Sequence, residues 1–177
     1  MDPVVDGMLR SALSLLFLVA ATHKLRAPAT FRAQLGDYQI VPPGAAAATA
    51  AAVVAAELTT GSALLLASVR SLAAGAALGL LCGYSAAIAL NLARGRRDID
   101  CGCSGPALRQ PLSPWLLARN AVLIGVAAAG LAPLRARTLF WVDSVSVLGG
   151  VSVLAALYAA SNRMLVHGPA LVRLRDS

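Results

Sequence analysis

Two cysteines stand one residue apart, as Cys101-Gly102-Cys103, in a polar segment of a chain otherwise rich in alanine, leucine and valine. A disulfide between such close positions requires a tight backbone turn, which Gly102 permits because it has no Cβ. The small ring stabilises the fold little, since the entropy lost on closing a loop grows with loop length. A strained and exposed disulfide is easily reduced. The spacing therefore favours a redox-active pair.

A metal site and a static structural disulfide are the alternative interpretations of these thiols. A structural zinc site takes about four nitrogen or sulfur ligands, and the chain has three cysteines, two histidines and no second cysteine motif. We therefore predict no metal. Arg96 and Arg97 lie just upstream, and positive charge lowers the pKa of a thiol towards the reactive thiolate, whereas Asp98 and Asp100 act in the opposite direction.

The composition is that of an integral membrane protein. Of the 177 residues, 58% are hydrophobic and 13% charged, and the mean hydropathy is +0.73. A soluble domain is typically about 45–50% apolar and about 25% charged. The net charge of +7 comes mostly from arginines in short polar segments between apolar runs. This pattern indicates membrane loops rather than a nucleic-acid surface.

A helix that crosses the hydrocarbon core of a bilayer needs about 20 mainly apolar residues. We predict five such spans in a single domain of residues 1–177, at about 4–22, 44–69, 71–93, 112–134 and 138–162. The predicted fold is an all-α integral membrane helical bundle with a four-helix core and a fifth transmembrane helix.

The first span has a rival interpretation as a secretory signal peptide, because Asp6 and Arg10 interrupt it and its uncharged stretch is short. The residues before that stretch include Asp2 and Asp6 rather than a basic cluster, which favours a retained helix. Span one is therefore counted with the bundle.

Two polar segments separate the spans and complete the predicted organisation. In segment 28–41, Phe31, Leu35 and Tyr38 recur at helical spacing, which predicts an amphipathic helix at the membrane interface; a plain connecting loop is the alternative. Segment 94–111 carries the cysteine pair and is the predicted redox loop.

Glu57 stands near the middle of its span, where an ionised side chain is costly and a functional role is the default hypothesis. It would hold a proton, or pair with Arg119 or Lys24; the alternative is a purely structural glutamate that fixes helix register. Cys82, also in mid-span, is interpreted as a small apolar side chain. The chain then has one redox pair, and its electrons must pass to a partner protein or to a quinone, the candidate cofactor.

A set of ordered motifs resembles the methylamine utilisation protein MauE family over roughly residues 10–135. In chain order these motifs are His23-Lys24-Leu25, Phe31…Leu35…Tyr38…Val41-Pro42, Glu57…Gly61, Gly95-Arg96…Cys101-Gly102-Cys103 and Leu112-Ser113…Arg119-Asn120. Members often carry an aromatic residue after the second cysteine, where this chain has Ser104.

The resemblance implies a membrane protein related to the DoxX-like group, with an arrangement similar to vitamin K epoxide reductase-like proteins. The resemblance also implies a role like that of the best-known member, which is needed for processing, transport or maturation of the disulfide-rich beta subunit of methylamine dehydrogenase and acts with the thioredoxin-like protein MauD. It implies thiol-redox chemistry at Cys101 and Cys103. Supporting roles are expected for Gly102, Lys24, Glu57, Arg119 and Asn120.

The sequence therefore predicts a membrane thiol–disulfide exchange protein with a thioredoxin-like partner and a disulfide-containing client. Nucleic acid is not expected among its partners. A scaffold that only docks the thioredoxin-like partner, and a small-molecule transporter with Glu57 in its path, are the alternatives. The cysteine loop is expected on the extracytoplasmic face of the cell membrane, because disulfides persist there. The distribution of arginines argues for the cytoplasmic face.

Overall fold

A computed structural model describes residues 1–101, 110–138 and 140–175, with residues 165–175 described by their helical backbone alone. Its six α-helices are α1 Pro3–Arg26, α2 Pro28–Asp37, α3 Ala46–Leu64, α4 Arg70–Ala93, α5 Pro114–Ala129 and α6 Trp141–Arg175. Short 3-10 turns, Pro43–Ala45 and Ala67–Val69, lead into α3 and α4. Within the described ranges the only β pairing is an isolated bridge between Asp100 and Pro111. The predicted all-α fold is confirmed.

In the part of the chain that the structure describes, four helical stretches are long and apolar enough to cross a membrane: Pro3–Arg26, Pro43–Leu64, Ala67–Ala93 and Trp141–Met164. The helix α5 is shorter, with 16 residues, and is about 24 Å long at 1.5 Å per residue. Its start follows from Pro114, which suits the first turn of a helix because that turn has no partner for its N–H groups. The predicted membrane helical bundle is thus confirmed, with α5 as its short member.

The helices alternate in direction, so the bundle has two ends. At the cysteine end, the Gln34 amide donates to Asp100 at 3.1 Å and the Gln110 amide donates to Asn162 at 3.1 Å, which joins α2, the 94–113 loop and α6. At the N-terminal end, the Arg135 N–H donates to the Met1 carbonyl at 3.0 Å.

Small residues let α1 and α3 pack closely. The Ser14 hydroxyl donates to the Gly61 carbonyl at 2.7 Å, and a Cβ on Gly61 would lie 2.9 Å from Leu18 Cγ. Small residues at helix interfaces are a main source of association in lipid, because apolar burial alone does not favour protein over lipid contacts. Gly61 therefore sets the distance between these two helices.

An apolar core lies between α1, α3, α4 and α5. Phe17 and Leu13 from α1 meet Leu64 from α3 and Leu81 from α4, all of them buried. By contrast, no residue in the apolar window of α6 is buried, although α6 packs along α1. The helix α6 therefore has one partly buried face against the bundle and presents the rest of its apolar surface outward.

A buried charged cluster holds the N-terminal end together. The Asp6 carboxylate, 2% exposed, accepts from Arg10 at 2.8 Å and from Arg70 at 3.0 Å. Arg10 also donates to the Leu64 carbonyl at 2.8 Å, and Arg70 donates to the Gly130 carbonyl at 2.9 Å. Asp6 and Arg10, which in the sequence only interrupt an apolar run, thus tie together the ends of α1, α3, α4 and α5.

Candidate functional site

Cys101 lies half-buried at the cysteine end, at the edge of an apolar cluster. The buried members of this cluster are Ile88, Ile99, Leu112 and Leu116, and Tyr38 packs against them together with Cys101. Gly102 and Cys103, the other members of the predicted redox pair, lie outside the described residues. The structure therefore locates one of the two sulfurs.

The backbone brings the two ends of the cysteine segment together. The Cys101 N–H donates to the Gln110 carbonyl at 2.9 Å, and Asp100 and Pro111 form the antiparallel bridge. The Gln110 N–H in turn donates to Asp100 Oδ1 at 3.1 Å. Cys101 is thus fixed at the base of a closed loop, beside a carboxylate that also accepts from Gln34 of α2.

Arg119 reaches this loop through a side chain of α6. Its guanidinium donates to Asn162 Oδ1 at 3.1 Å, and the same oxygen accepts from Gln110 at 3.1 Å. Gln110 is 1% exposed, and the Arg119 guanidinium lies 5.6 Å from the centre of the Tyr158 ring. Arg119, for which the resemblance implies a supporting role, is thus connected to the cysteine loop through Asn162.

Asn120 contacts α4 rather than the cysteine loop. Its amide donates to Ser85 Oγ at 3.3 Å, across the contact between α5 and α4, and its carbonyl oxygen accepts from Arg119 at 3.5 Å. Asn120 is 3% exposed. Asn120 therefore links α5 to α4 and also accepts a hydrogen bond that helps to position the Arg119 guanidinium.

The buried carboxylate of Glu57 pairs with Lys24. Lys24 Nζ lies 2.5 Å from Glu57 Oε1, and the two side chains are 4% and 1% exposed. The Tyr84 hydroxyl donates to the same oxygen at 2.7 Å. The ammonium also lies 5.2 Å from the centre of the Phe31 ring and 5.6 Å from that of Tyr84. Of the partners considered for Glu57, the structure selects Lys24.

Glu57 Oε2 is buried without a hydrogen-bond partner among the described residues. Both donors, from Lys24 and Tyr84, meet Oε1 instead. A buried acceptor without a donor costs about 1–3 kcal/mol. The position is therefore suited to one further hydrogen-bond donor.

The predicted supporting residues thus fall into two clusters. Lys24 and Glu57 join α1 to α3, whereas Arg119 and Asn120 join α5 to α4 and α6. Sequence reasoning did not find the partners that complete the clusters, namely Tyr84, Gln110, Asn162 and Tyr158. Asn162 carried a weak signal as a polar residue at the end of an apolar run. Within the described ranges, no three His, Cys, Asp or Glu side chains converge as metal ligands.

The chain is similar to known proteins over most of its length. The family model for methylamine utilisation protein MauE matches residues 3–133. Methylamine utilization protein MauE from Paracoccus denitrificans is 35% identical over 72% of this chain and 69% of the relative. The protein of the same name from Methylorubrum extorquens is 36% identical over 97% of this chain and 88% of the relative.

A third relative, methylamine utilization protein MauE from Methylophilus methylotrophus, is 32% identical over 93% of this chain and 87% of its own length. No solved structure matches the chain significantly. The family model covers α1 to α5 and the cysteine loop, so it includes every predicted site residue. By this match and these identities, the chain belongs to the methylamine utilisation protein MauE family.

Proposed function

We propose that the chain is a methylamine-utilisation accessory membrane protein that exchanges disulfides with a partner through Cys101 and Cys103. Its family membership supports the accessory role, because the relatives carry the name methylamine utilization protein. The observation that carries the thiol role is the fixing of Cys101 at the base of a closed loop, by its N–H bond to the Gln110 carbonyl at 2.9 Å. This bond fixes the backbone of the first cysteine of the pair at the cysteine end of the bundle, where Cys101 is half-buried.

The exchange begins with the Cys101–Cys103 disulfide. A client thiolate attacks one sulfur, the S–S bond breaks, and a mixed disulfide forms while the other cysteine leaves as a thiolate and takes up a proton. A second client thiol then resolves the mixed disulfide. The client loses two electrons and two protons and becomes the disulfide, and the cysteine pair becomes the dithiol.

The reduced pair must be oxidised again before a second cycle. The proposed acceptors are the disulfide of a thioredoxin-like partner, which becomes a dithiol, or a membrane quinone, which becomes a quinol. Either acceptor takes the two electrons and two protons released as the Cys101–Cys103 disulfide forms. The exchange is proposed to take place on the outer face of the cell membrane, where disulfides persist.

Trapping variants test the exchange. With Cys103→Ser or Cys101→Ser the remaining thiolate can still attack the disulfide of the thioredoxin-like partner or of the oxidised client, but the second cysteine that would resolve the mixed disulfide is missing. We therefore expect a covalent complex with one of these proteins on non-reducing gels. The complex should disappear on reduction and should be absent with the double serine variant. The Cys82→Ser variant is the matched control and should trap nothing. If neither single variant traps a partner and both support normal client maturation, thiol exchange is ruled out.

A scaffold without thiol chemistry is the second candidate function. It is favoured by the bonds from Gln34 to Asp100 and from Gln110 to Asn162, which fix the cysteine end without using a sulfur atom. A scaffold requires this surface but no redox change. In that case the double variant Cys101→Ser, Cys103→Ser would mature the client at the wild-type rate, whereas the exchange mechanism predicts complete loss.

A further inference from the structure

A groove opens between α1, α2 and α3 at the cysteine end of the bundle. The groove is open to one side and has a volume of about 420 Å³, within the range of about 300–1,000 Å³ that is usual for ligand pockets. One wall is made by Leu25, Pro28 and Phe31 of α1 and α2, and the floor is made by the outer face of α3. That floor consists of Ala47, Ala50, Ala51, Val54, Ala55 and Leu58.

The lining of the groove is apolar along its floor and cationic on one side. The floor residues run for three helical turns along α3, a membrane-spanning stretch, and have no polar side chain. Among the described residues that line the groove, Lys24 and Arg32 are the charged ones. A long apolar floor with cations at one end is the distribution that an amphiphile requires.

Arg32 is available to an anion. Its side chain is exposed on α2, and it makes no ion pair or hydrogen bond within the described part of the chain. Arginine matches phosphate oxygens well, because its planar guanidinium donates two parallel hydrogen bonds. An exposed arginine on a short helix beside a transmembrane groove therefore lies where a phosphate would complete its contacts.

Lys24 is suited to a neutral acceptor rather than to the phosphate itself. Its charge is already balanced by Glu57 at 2.5 Å, but an ammonium has three N–H donors. An anion beside this buried pair would bring an uncompensated charge into a poorly solvated place. An ester carbonyl accepts a hydrogen bond without adding charge.

We propose that this groove binds one anionic phospholipid, with its phosphate on Arg32, an ester carbonyl near Lys24 and an acyl chain along the alanine face of α3. The charge of Arg32 selects an anionic headgroup over a zwitterionic one, since a choline or ethanolamine ammonium would lie close to the guanidinium. Bound lipid fills the space beneath α2, whose Gln34 holds Asp100 at the base of the cysteine loop. The site is independent of thiol exchange and goes beyond the proposed function.

Native mass spectrometry of the full-length protein in detergent tests the site, with phosphatidylglycerol and phosphatidylcholine as the probes. We expect one phosphatidylglycerol to bind the wild-type protein about tenfold more tightly than phosphatidylcholine, because the choline ammonium would lie close to the Arg32 guanidinium and like charges repel. Arg32→Gln should remove this preference. Arg163→Gln, an exposed arginine of α6 at the same end, should keep it.

Filling the groove gives a second test that does not depend on charge. Ala51→Leu places a larger side chain on the groove floor and should reduce lipid binding about tenfold or more. Ala52→Leu is the matched control, because Ala52 is exposed on the same helix but does not line the groove. Both substitutions keep a good helix former, so both proteins should fold.

Three results would overturn the proposal. Equal binding of the two lipids by the wild-type protein contradicts the role of Arg32, and unchanged binding by Ala51→Leu contradicts the groove as the place of binding. Displacement of phosphatidylglycerol by an equimolar prenyl quinone, with Arg32→Gln leaving quinone binding intact, would assign the groove to a neutral ligand instead. Trapping of a client by the cysteine variants is unaffected by any of these results.

Discussion

At the scale of single residues, the Lys24–Glu57 pair is an ion pair buried inside the bundle, and its burial carries a large desolvation cost. Both side chains are buried inside the bundle at 2.5 Å separation, where water cannot stabilise either charge. Tyr84 donates to the carboxylate and lies with Phe31 around the ammonium. Removing one member of a buried pair is much more costly than replacing both, because the remaining charge is left without compensation.

Lys24→Met should therefore destabilise the protein by about 3–5 kcal/mol. The double variant Lys24→Met, Glu57→Gln should recover much of this loss, because no charge then remains buried. The measurement is the free energy of unfolding in detergent, followed by circular dichroism for the wild type, both single variants and the double variant. Additive losses in the double variant would show that the two residues do not interact in the membrane protein.

For this pair, the sequence identifies the buried carboxylate but does not identify its partner. Glu57 stands out in the sequence because it is a lone carboxylate in an apolar run, and Lys24 was among its possible partners. The choice between Lys24 and Arg119 depends on how α1, α3 and α5 pack, which no local pattern contains. Tyr84 was not found, because a tyrosine in an apolar helix gives the same pattern whether its hydroxyl is bonded or exposed.

At the scale of helices, the contact between α1 and α3 depends on one small residue. Gly61 packs against Leu18, and its carbonyl accepts from Ser14 at 2.7 Å. The backbones approach closely here because Gly61 has no side chain. The same contact brings Lys24 on α1 within reach of Glu57 on α3.

Gly61→Ala should destabilise the bundle by about 1–3 kcal/mol, the usual cost of overpacking a tight contact. Its added Cβ would lie 2.9 Å from Leu18 Cγ, so one helix must shift. Gly83→Ala is the matched control, since a Cβ there meets nothing within 4 Å; it should be neutral or slightly stabilising, because alanine is the better helix former. The measurement is the midpoint of thermal unfolding of the two variants and the wild type in the same detergent. Equal midpoints would contradict the role assigned to Gly61.

Helix ends were the part of the elements that the sequence located least well. The apolar run at 112–134 contains α5, but the helix begins at Pro114 and ends at Ala129. Leu112 is instead held by hydrogen bonds from its N–H to the carbonyls of Arg97 and Ile99. Hydropathy locates the apolar run, whereas Pro114 and these loop bonds determine the residue at which α5 begins.

At the scale of the whole molecule, the two ends of the bundle carry their charges differently. At the N-terminal end, Arg10 and Arg70 pair with Asp6, and Arg137 pairs with Asp2 and Asp143. Asp6 is four residues from Arg10 but 64 residues from Arg70, so the complete cluster could not be recognised before the fold was known. At the cysteine end, the exposed arginines without an ion pair in the described ranges are Arg26, Arg32, Arg94, Arg97 and Arg163.

This distribution bears on which face of the membrane carries the cysteine loop. The positive-inside rule counts arginines and lysines in short loops and gives little weight to carboxylates, so it favours a cytoplasmic cysteine end. Disulfide exchange favours the outer face, since cytoplasmic thiols are kept reduced. If the exposed arginines bind a partner or lipid phosphates, their number reflects that binding rather than the direction of insertion. The proposed exchange therefore requires the outer face.

Labelling with a membrane-impermeant maleimide on intact cells, after mild reduction, tests this orientation in a Cys82→Ala background. Cys82 is exposed on α4 within a membrane-spanning stretch and is removed so that only Cys101 and Cys103 can react. We expect labelling before lysis. A protein with Arg135→Cys as its only cysteine is the control, since Arg135 lies at the opposite end and should react only after lysis. The reverse pattern would place the cysteine loop in the cytoplasm, where a stable disulfide is not maintained, and would leave the scaffold as the function that the fold supports.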